Sequence, residues 1–506
     1  MKKSLALTIS LGLLISVISA SAATPPKPGA TCPKTGQTQN YGGMKYTCIK
    51  SGKKLVWNKG VSLAPATIDL SKDPRNSPET SFTELSRCQT KDISNAHVPE
   101  NSPSNGFPRP GYALFQKPSV RILVVPLTLA DSPFTAKDSS RLEAAMKRVA
   151  DFYSKQSYGR FTMKYTILSS QLGIRDSRTI DDLQLGITNS GPMIDRTQSV
   201  TMLLSRWTPP SNIQDFDAVV IESGNSDKGF AGVAFPGQTF QTLGGRIERL
   251  TFEFGTQTGD ASIIAHELGH TLFGFEDLYI QDPLSKAFST NPIPAGNWDI
   301  MSTYIQEFES VGFYGWNRFL AGWLKESEVR CLWDQKTNTH FLTNLENPQG
   351  PKLTLINIQA GVTLAVELRP ATNFNSGANI YRIDSRIGHG WGPIQFLRVL
   401  EKGNIAFEVD GVRITVIDSN KNGALIKIER LIPPTQDSEL TSEDGRDPVP
   451  IPSTSPETPR DPNDLNGKSC SIVNEITRNS VGEFWCLSSP DGNLRWSQNN
   501  PPPGKP

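Results

Sequence analysis

Apolar positions along this chain of 506 residues change their spacing several times, and each change marks a different kind of element. Near the start, Lys2 and Lys3 precede an apolar run from Leu5 to Ile18, 14 residues long, and Ala20-Ser21-Ala22 follows it. That run is too short for the ~20 residues of a transmembrane helix, and small residues after it suit a cleavage site, so residues 1–22 read as a signal peptide. Between Asp260 and Gly274 the period is helical: Ile263, Ile264, Leu268 and Leu272 recur at three-to-four spacing and are predicted to bury one side of a helix. Asp260 suits its N-cap, and Gly274 suits the positive-φ residue that ends it. From Cys331 to Leu431 the period falls to two, most clearly in Leu353–Ile358, Val362–Leu368 and Val412–Ile417, which predicts a β-sandwich over 331–432. Residues 433–465 then carry Pro, Ser, Thr and Asp with almost no large apolar side chain, the composition of a solvated linker.

The helical segment also carries the sharpest chemistry, His266-Glu267-Leu268-Gly269-His270. Residues i and i+4 of a helix lie on one face, so two neutral imidazoles can share one Zn²⁺ while Glu267 reaches a water on it. The plainer reading is a buried helix with two satisfied histidines. A tetrahedral catalytic site needs a third protein ligand, and the segment after Gly274 offers Glu276 and Asp277. His97, His340 and His389, the rest of the five histidines, have no partner at ligand spacing.

Six cysteines give a second pattern. Cys32 and Cys48 are separated by 16 positions, as are Cys470 and Cys486, and their surroundings match: Tyr46-Thr47-Cys48 with Trp57, against Phe484-Trp485-Cys486 with Trp496. This internal repeat predicts small modules at 28–59 and 466–498, each too short for a sufficient core without its own disulfide. Their shared aromatics read as that small core, with contact to cell wall or carbohydrate as the alternative. Cys88 and Cys331 are expected to form a third disulfide. The rival is a latency switch in which the Cys88 thiolate ligates the metal. Residues 60–117, rich in Pro, Ser and Asn, read as a linker or propeptide.

Charge narrows the partners. With 51 basic and 50 acidic residues the net charge is +1, and no long single-sign block suggests nucleic acid or an electrostatic membrane surface. No G-x-S-x-G elbow or phosphate-cradling glycine loop is present. Asp418, Asn420, Asn422, Gly423 and Glu429 fit the spacing of an EF-hand loop, but their neighbours alternate as strands. A hairpin turn is the first expectation there, and a Ca²⁺ site the second.

Beyond these readings, several segments resemble the immune inhibitor A-type secreted zinc metallopeptidases. HELGHTLFGFEDLY is similar to the family's H-E-x-G-H-x-L-G-L-P-D-L-Y, with one extra residue near Phe273 and Glu276 in place of proline. Val120–Leu127, Phe152–Phe161, Gly296–Ser302 and Gly322-Trp323-Leu324 follow the family's order, and Val366–Arg369 and Ile380–Asp384 resemble it more weakly. The resemblance implies a catalytic domain over 118–330 and hydrolysis of peptide bonds in protein or peptide substrates. His266, His270 and Asp277 would be zinc ligands, with Glu276 the alternative third, and Glu267 the general base. It implies a Met-turn at Met301, and Tyr304 as oxyanion donor or packing aromatic. The fold expected is an α+β zincin/metzincin-like catalytic domain followed by a β-sandwich, flanked by two disulfide-stapled repeat modules and exported from the cell. The competing expectation is a non-catalytic exported binding protein with a degenerate zincin domain.

Overall fold

The computed structural model describes residues 25–42, 44–62, 69–94, 102–183, 196–225, 231–255, 260–281, 293–302, 308–369, 377–388, 390–433, 476–478, 483–488 and 494–497. The expected signal peptide and the linker beyond residue 433 lie outside these residues. The chain divides into two units, 1–69 and 70–506. Among the described residues no helix is long and apolar enough to cross a membrane.

The first unit is a small antiparallel sheet of β1 (Thr38–Tyr41), β2 (Met44–Ser51), β3 (Lys54–Trp57) and β4 (Val61–Ser62), with β2 between β1 and β3. Among the described residues its core cluster is Cys32, Cys48 and Trp57 with Tyr46 and Leu55 against them, and a Cys32–Cys48 disulfide closes it. A core that small needs the covalent link.

The second unit is built on a sheet of β5 (Ser119–Thr128), β6 (Thr162–Ile167), β7 (Ile174–Arg175), β8 (Ala218–Asn225), β9 (Ala231–Phe235) and β12 (Leu250–Gly255), with a hairpin of β10 (Phe240–Thr242) and β11 (Gly245–Ile247) beside it. The order is β6-β5-β8-β12-β9, parallel except for β9, which runs antiparallel to β12. Parallel strands buried on both faces read as continuous apolar runs, and β5 is one. Val120, Ile122 and Val124 enter one core while Leu123, Val125 and Leu127 enter the other. On the first face lie α1 (Ala136–Gln156), begun by a Thr135/Asp138 capping box, and α3 (Ala261–Phe273); α2 (Thr197–Leu204) packs into the second core.

Asp260 caps α3 as expected, accepting from Ser262 N. The one-sided burial expected of this helix is corrected: all thirteen of its residues are buried. A helix enclosed all round is a central element rather than a surface one.

Residues 329–430 form two sheets. One has the order β13 (Val329–Leu332), β15 (Leu353–Gln359), β16 (Val362–Leu368), β17 (Ala378–Asp384), β18 (Ile394–Leu400); the other runs β14 (Thr337–Thr343), β21 (Gly423–Arg430), β20 (Val412–Asn420), β19 (Phe407–Val409). Leu364, Val366 and Ile380 from the first and Val412, Ile414 and Ile426 from the second share one cluster. Alternate positions therefore point into a common core.

Residues 69–94 and 102–117, within the expected linker or propeptide, are fastened to the rest of their unit. Ser77 N bonds to Thr339 O, Thr83 N to Cys331 O and Leu114 N to Leu272 O, and the Cys88–Cys331 disulfide ties the segment to β13. The disulfide leaves no Cys88 thiolate for the latency-switch alternative.

The hairpin expected first at the EF-hand-like spacing is present. Asn420 pairs with Gly423 across the β20–β21 hairpin, Asp418 binds Lys402 Nζ, and Glu429 binds Lys427 Nζ. Each of these carboxylates is thus paired with a lysine ammonium.

Beyond residue 433, β22 (Ile476–Arg478), β23 (Glu483–Ser488) and β24 (Leu494–Ser497) make an antiparallel sheet. Its register pairs Cys486 with Trp496, as the first unit pairs Cys48 with Trp57. The backbone thus repeats what the sequence repeats. Cys470, and with it the expected Cys470–Cys486 disulfide, lies outside the described residues.

Candidate metal centre

Helical spacing stacks His266 over His270, and their Nε2 atoms stand 3.2 Å apart. Each Nδ1 faces a backbone carbonyl: Ile300 O at 2.9 Å from His266, and Phe275 O at 2.5 Å from His270. A carbonyl can only accept, so each Nδ1 carries a proton and each Nε2 is the ring atom turned inward. That arrangement orients imidazoles for a metal.

The third group arrives through the turn. Gly274 adopts the left-handed conformation (φ 64°, ψ 33°), and its N–H donates to His270 O. Arg109, partly buried, donates from Nη2 to Phe273 O and Gly274 O, so a cation sits on the negative end of the helix. The chain then leaves as irregular backbone and side chains 276 and 277 diverge. Asp277 Oδ1 lies 2.9 Å from His266 Nε2 and 3.2 Å from His270 Nε2. Glu276 turns instead toward Arg109 and Asp92. Burial, then the charge of Asp92, pushes its carboxyl well above the usual range despite Arg109.

Three ligand atoms from His266, His270 and Asp277 thus lie within 4.8 Å of one another, all on buried residues. Donors on a tetrahedral Zn²⁺ at ~2.0–2.1 Å stand roughly 3.3 Å apart, so edges of 2.9, 3.2 and 3.2 Å need little adjustment to hold a metal. The electrostatics agree. Burial alone would lower the His270 pKa, but the Asp277 charge and hydrogen bond raise it to about 9. Asp277 is correspondingly held well below its ordinary value, against burial, by the same histidines. The carboxylate already neutralises positive charge at this point.

Glu267 is buried beside the cluster; burial raises its pKa, while the charges of His266 and His270 oppose the rise. Ala234 N–H, on β9, donates to its carboxylate. Met301 is buried under the helix, its Sδ where a Cβ on Gly269 would come within 2.8 Å. Tyr304 lies outside the described residues, as do His97 and His389. His340 is elsewhere, buried in β14 between Asn338 and Thr354.

Several supporting groups have no signal of their own in the sequence. Gln281 Nε2 donates to Asp277 Oδ2, and Gln281 N donates to Gly390 O, so a loop of the five-stranded sheet braces the third ligand. Asp299 accepts from Met301 N, Tyr314 N and Asn317 Nδ2 and shapes the turn that presents Ile300 O. Asp299 belongs to the Gly296–Ser302 segment, which is where a signal for it existed.

No family model matches this chain, and no curated protein matches it. A solved structure titled "Crystal Structure of metalloproteinase-II from Bacteroides fragilis" is similar over 42% of this chain and 57% of that chain, with 17% identity and a TM-score of 0.25. This chain thus spans little more than half of that chain's length, and a superposition that slight carries no argument.

Proposed function

We propose that this chain is a secreted zinc-dependent endopeptidase of the immune inhibitor A-type, hydrolysing peptide bonds of extracellular proteins. The observation that carries the reading is the convergence of two carbonyl-oriented imidazoles and one carboxylate oxygen, with the carboxyl of Glu267 on the same helix. Residues 118–330 are read as the zincin/metzincin-like catalytic domain and 331–432 as a β-sandwich behind it. Modules 28–59 and 466–498 are read as small disulfide-stapled units, with contact to cell wall or carbohydrate as the alternative.

His266, His270 and Asp277 would hold the zinc. When bound, Zn²⁺ supplies Lewis acidity that brings a water's pKa toward ~7 and polarises a carbonyl. Glu267 takes a proton from the attacking water and returns it to the leaving amine, and a carboxyl already lifted by burial is suited to both transfers. Ile300 O and Phe275 O fix the ring orientations, and Gln281 steadies Asp277. The disulfides Cys32–Cys48 and Cys88–Cys331 suit an oxidising compartment.

The test is elemental analysis of the purified chain together with casein hydrolysis before and after chelation. One equivalent of zinc, with activity lost to chelator and restored by Zn²⁺, is the expected result. A zinc-free, inactive mature protein would favour the non-catalytic binding protein instead.

A further inference from the structure

We infer that Gly232 is a positioning residue for Glu267: the place where residue 232 would carry a side chain is the slot that holds the Glu267 carboxyl. The inference rests on the peptidase reading for its consequence in turnover, but on packing alone for the slot itself.

Strand register sets the geometry. Glu222 on β8 pairs with Glu253 on β12, and Glu253 pairs with Gly232 on β9. Paired residues share a face of the sheet, so these three positions form one row beneath α3. Glu222 and Glu253 are both buried, and the burial of Glu253 together with the charge of Glu222 keeps the Glu253 carboxyl well above the ordinary range. At the third position the row has no side chain of its own. A Cβ built on Gly232 would come 2.6 Å from Glu267 Cγ and 2.6 Å from Oε1, and 2.5 Å from Ile263 Cγ2. Such approaches are far inside van der Waals contact, so a methyl there cannot coexist with the present Glu267 rotamer. Two residues along, Ala234 N–H donates to the same carboxylate. The β9 edge therefore shapes the slot with a missing side chain and fastens its occupant with a backbone donor.

The expected consequence of Gly232→Ala is displacement of Glu267 without damage to the metal ligands, none of which a Cβ at 232 would meet within its three nearest contacts. Zinc affinity should stay near wild type and KM should change less than about twofold. The kcat should fall by about 100-fold, the cost of misplacing a reacting group by ~1 Å. A second readout needs no activity. The melting temperature drop caused by Gly232→Ala is measured with Glu267 present and again in a Glu267→Ala background, where the slot is vacated. Wild-type-like zinc affinity, reduced kcat and a drop at least halved in the Glu267→Ala background support the inference. An equal drop in both backgrounds assigns the clash to Ile263 and overturns it, as does an unchanged kcat in an active, zinc-loaded Gly232→Ala protein. Wild-type protein without zinc or activity would overturn the peptidase reading, and the melting comparison would still decide the slot.

Discussion

Two adjacent acids, Glu276 and Asp277, have opposite fates in this chain. Asp277 meets both histidines, whereas Glu276 is buried near Arg109 and Asp92, and burial pushes its carboxyl well above the usual range. Asp277→Ala should therefore weaken zinc binding by at least about 100-fold, the upper range for disturbing even the groups that orient ligands. Glu276→Gln, which changes a group outside the three ligand atoms, should leave zinc affinity within about a few-fold. Calorimetric titration of both variants checks this, and the reverse pattern would make Glu276 the ligand. A second residue sets a pH dependence. Burial, reinforced by Arg330, lowers the His340 pKa from 6.5 to about 3. Its Nδ1–H donates to Asn338 Oδ1, and its Nε2 accepts from Thr354 Oγ1. The folded pKa lies below the unfolded one, so the unfolded chain takes up the proton first as pH falls. The contribution is complete above about pH 6.5 and is lost as pH drops from there toward 3, at about 1.4 kcal/mol per unit. Unfolding of wild type and His340→Gln between pH 7 and 5 should show wild type losing about 2 kcal/mol more; parallel curves would refute it. At this scale His266, Glu267 and His270 were legible, because helical spacing alone puts them together. Gln281 and Gly232 were not, because contacts between segments far apart in the chain have no local period.

The element that matters most is α3 with its turn. Its caps were readable in Asp260 and Gly274, but its setting was not: four apolar positions suggested a single buried face, and the fold buries every residue. The reason is tertiary. The sheet lies on one side, α1 on another, and Tyr153, Phe161, Phe275 and Trp323 pack around Phe273 at its end. Segments that looked like separate motifs, Phe152–Phe161 and Gly322-Trp323-Leu324, thus converge under the ligand turn. Gly274→Ala should cost about 1–2 kcal/mol for the left-handed conformation. Its Cβ would also press on Tyr112 Oη at 3.1 Å and Pro110 Cγ at 3.2 Å. Denaturant midpoints should fall and zinc binding should weaken with them, since Phe275 O and Asp277 follow the turn. An unchanged midpoint would show that the turn sets neither.

At the scale of the whole molecule, the sequence pattern separated the β region from the mixed region and paired the two terminal repeats. The polar composition of residues 60–117 resembles a linker or propeptide, yet Leu70, Cys88 and Phe107 are buried. Composition averages over a segment, whereas a few apolar anchors, a disulfide and backbone hydrogen bonds suffice to fasten it. The β region likewise does more than follow the site. Arg369 donates to Trp298 O, Val311 O and Phe313 O, and Glu367 accepts from Gly315 N. A network of this kind makes the candidate site depend on both regions. We propose that such a framework carries a metal-dependent peptidase with Glu267 as its general base. The most direct measurement is the rate of casein hydrolysis by wild type and Glu267→Ala at equal zinc occupancy. Loss of a positioned acid–base predicts a fall of about 10²–10⁴-fold with zinc retained. Equal rates, or no hydrolysis by the zinc-loaded wild type, would contradict the account.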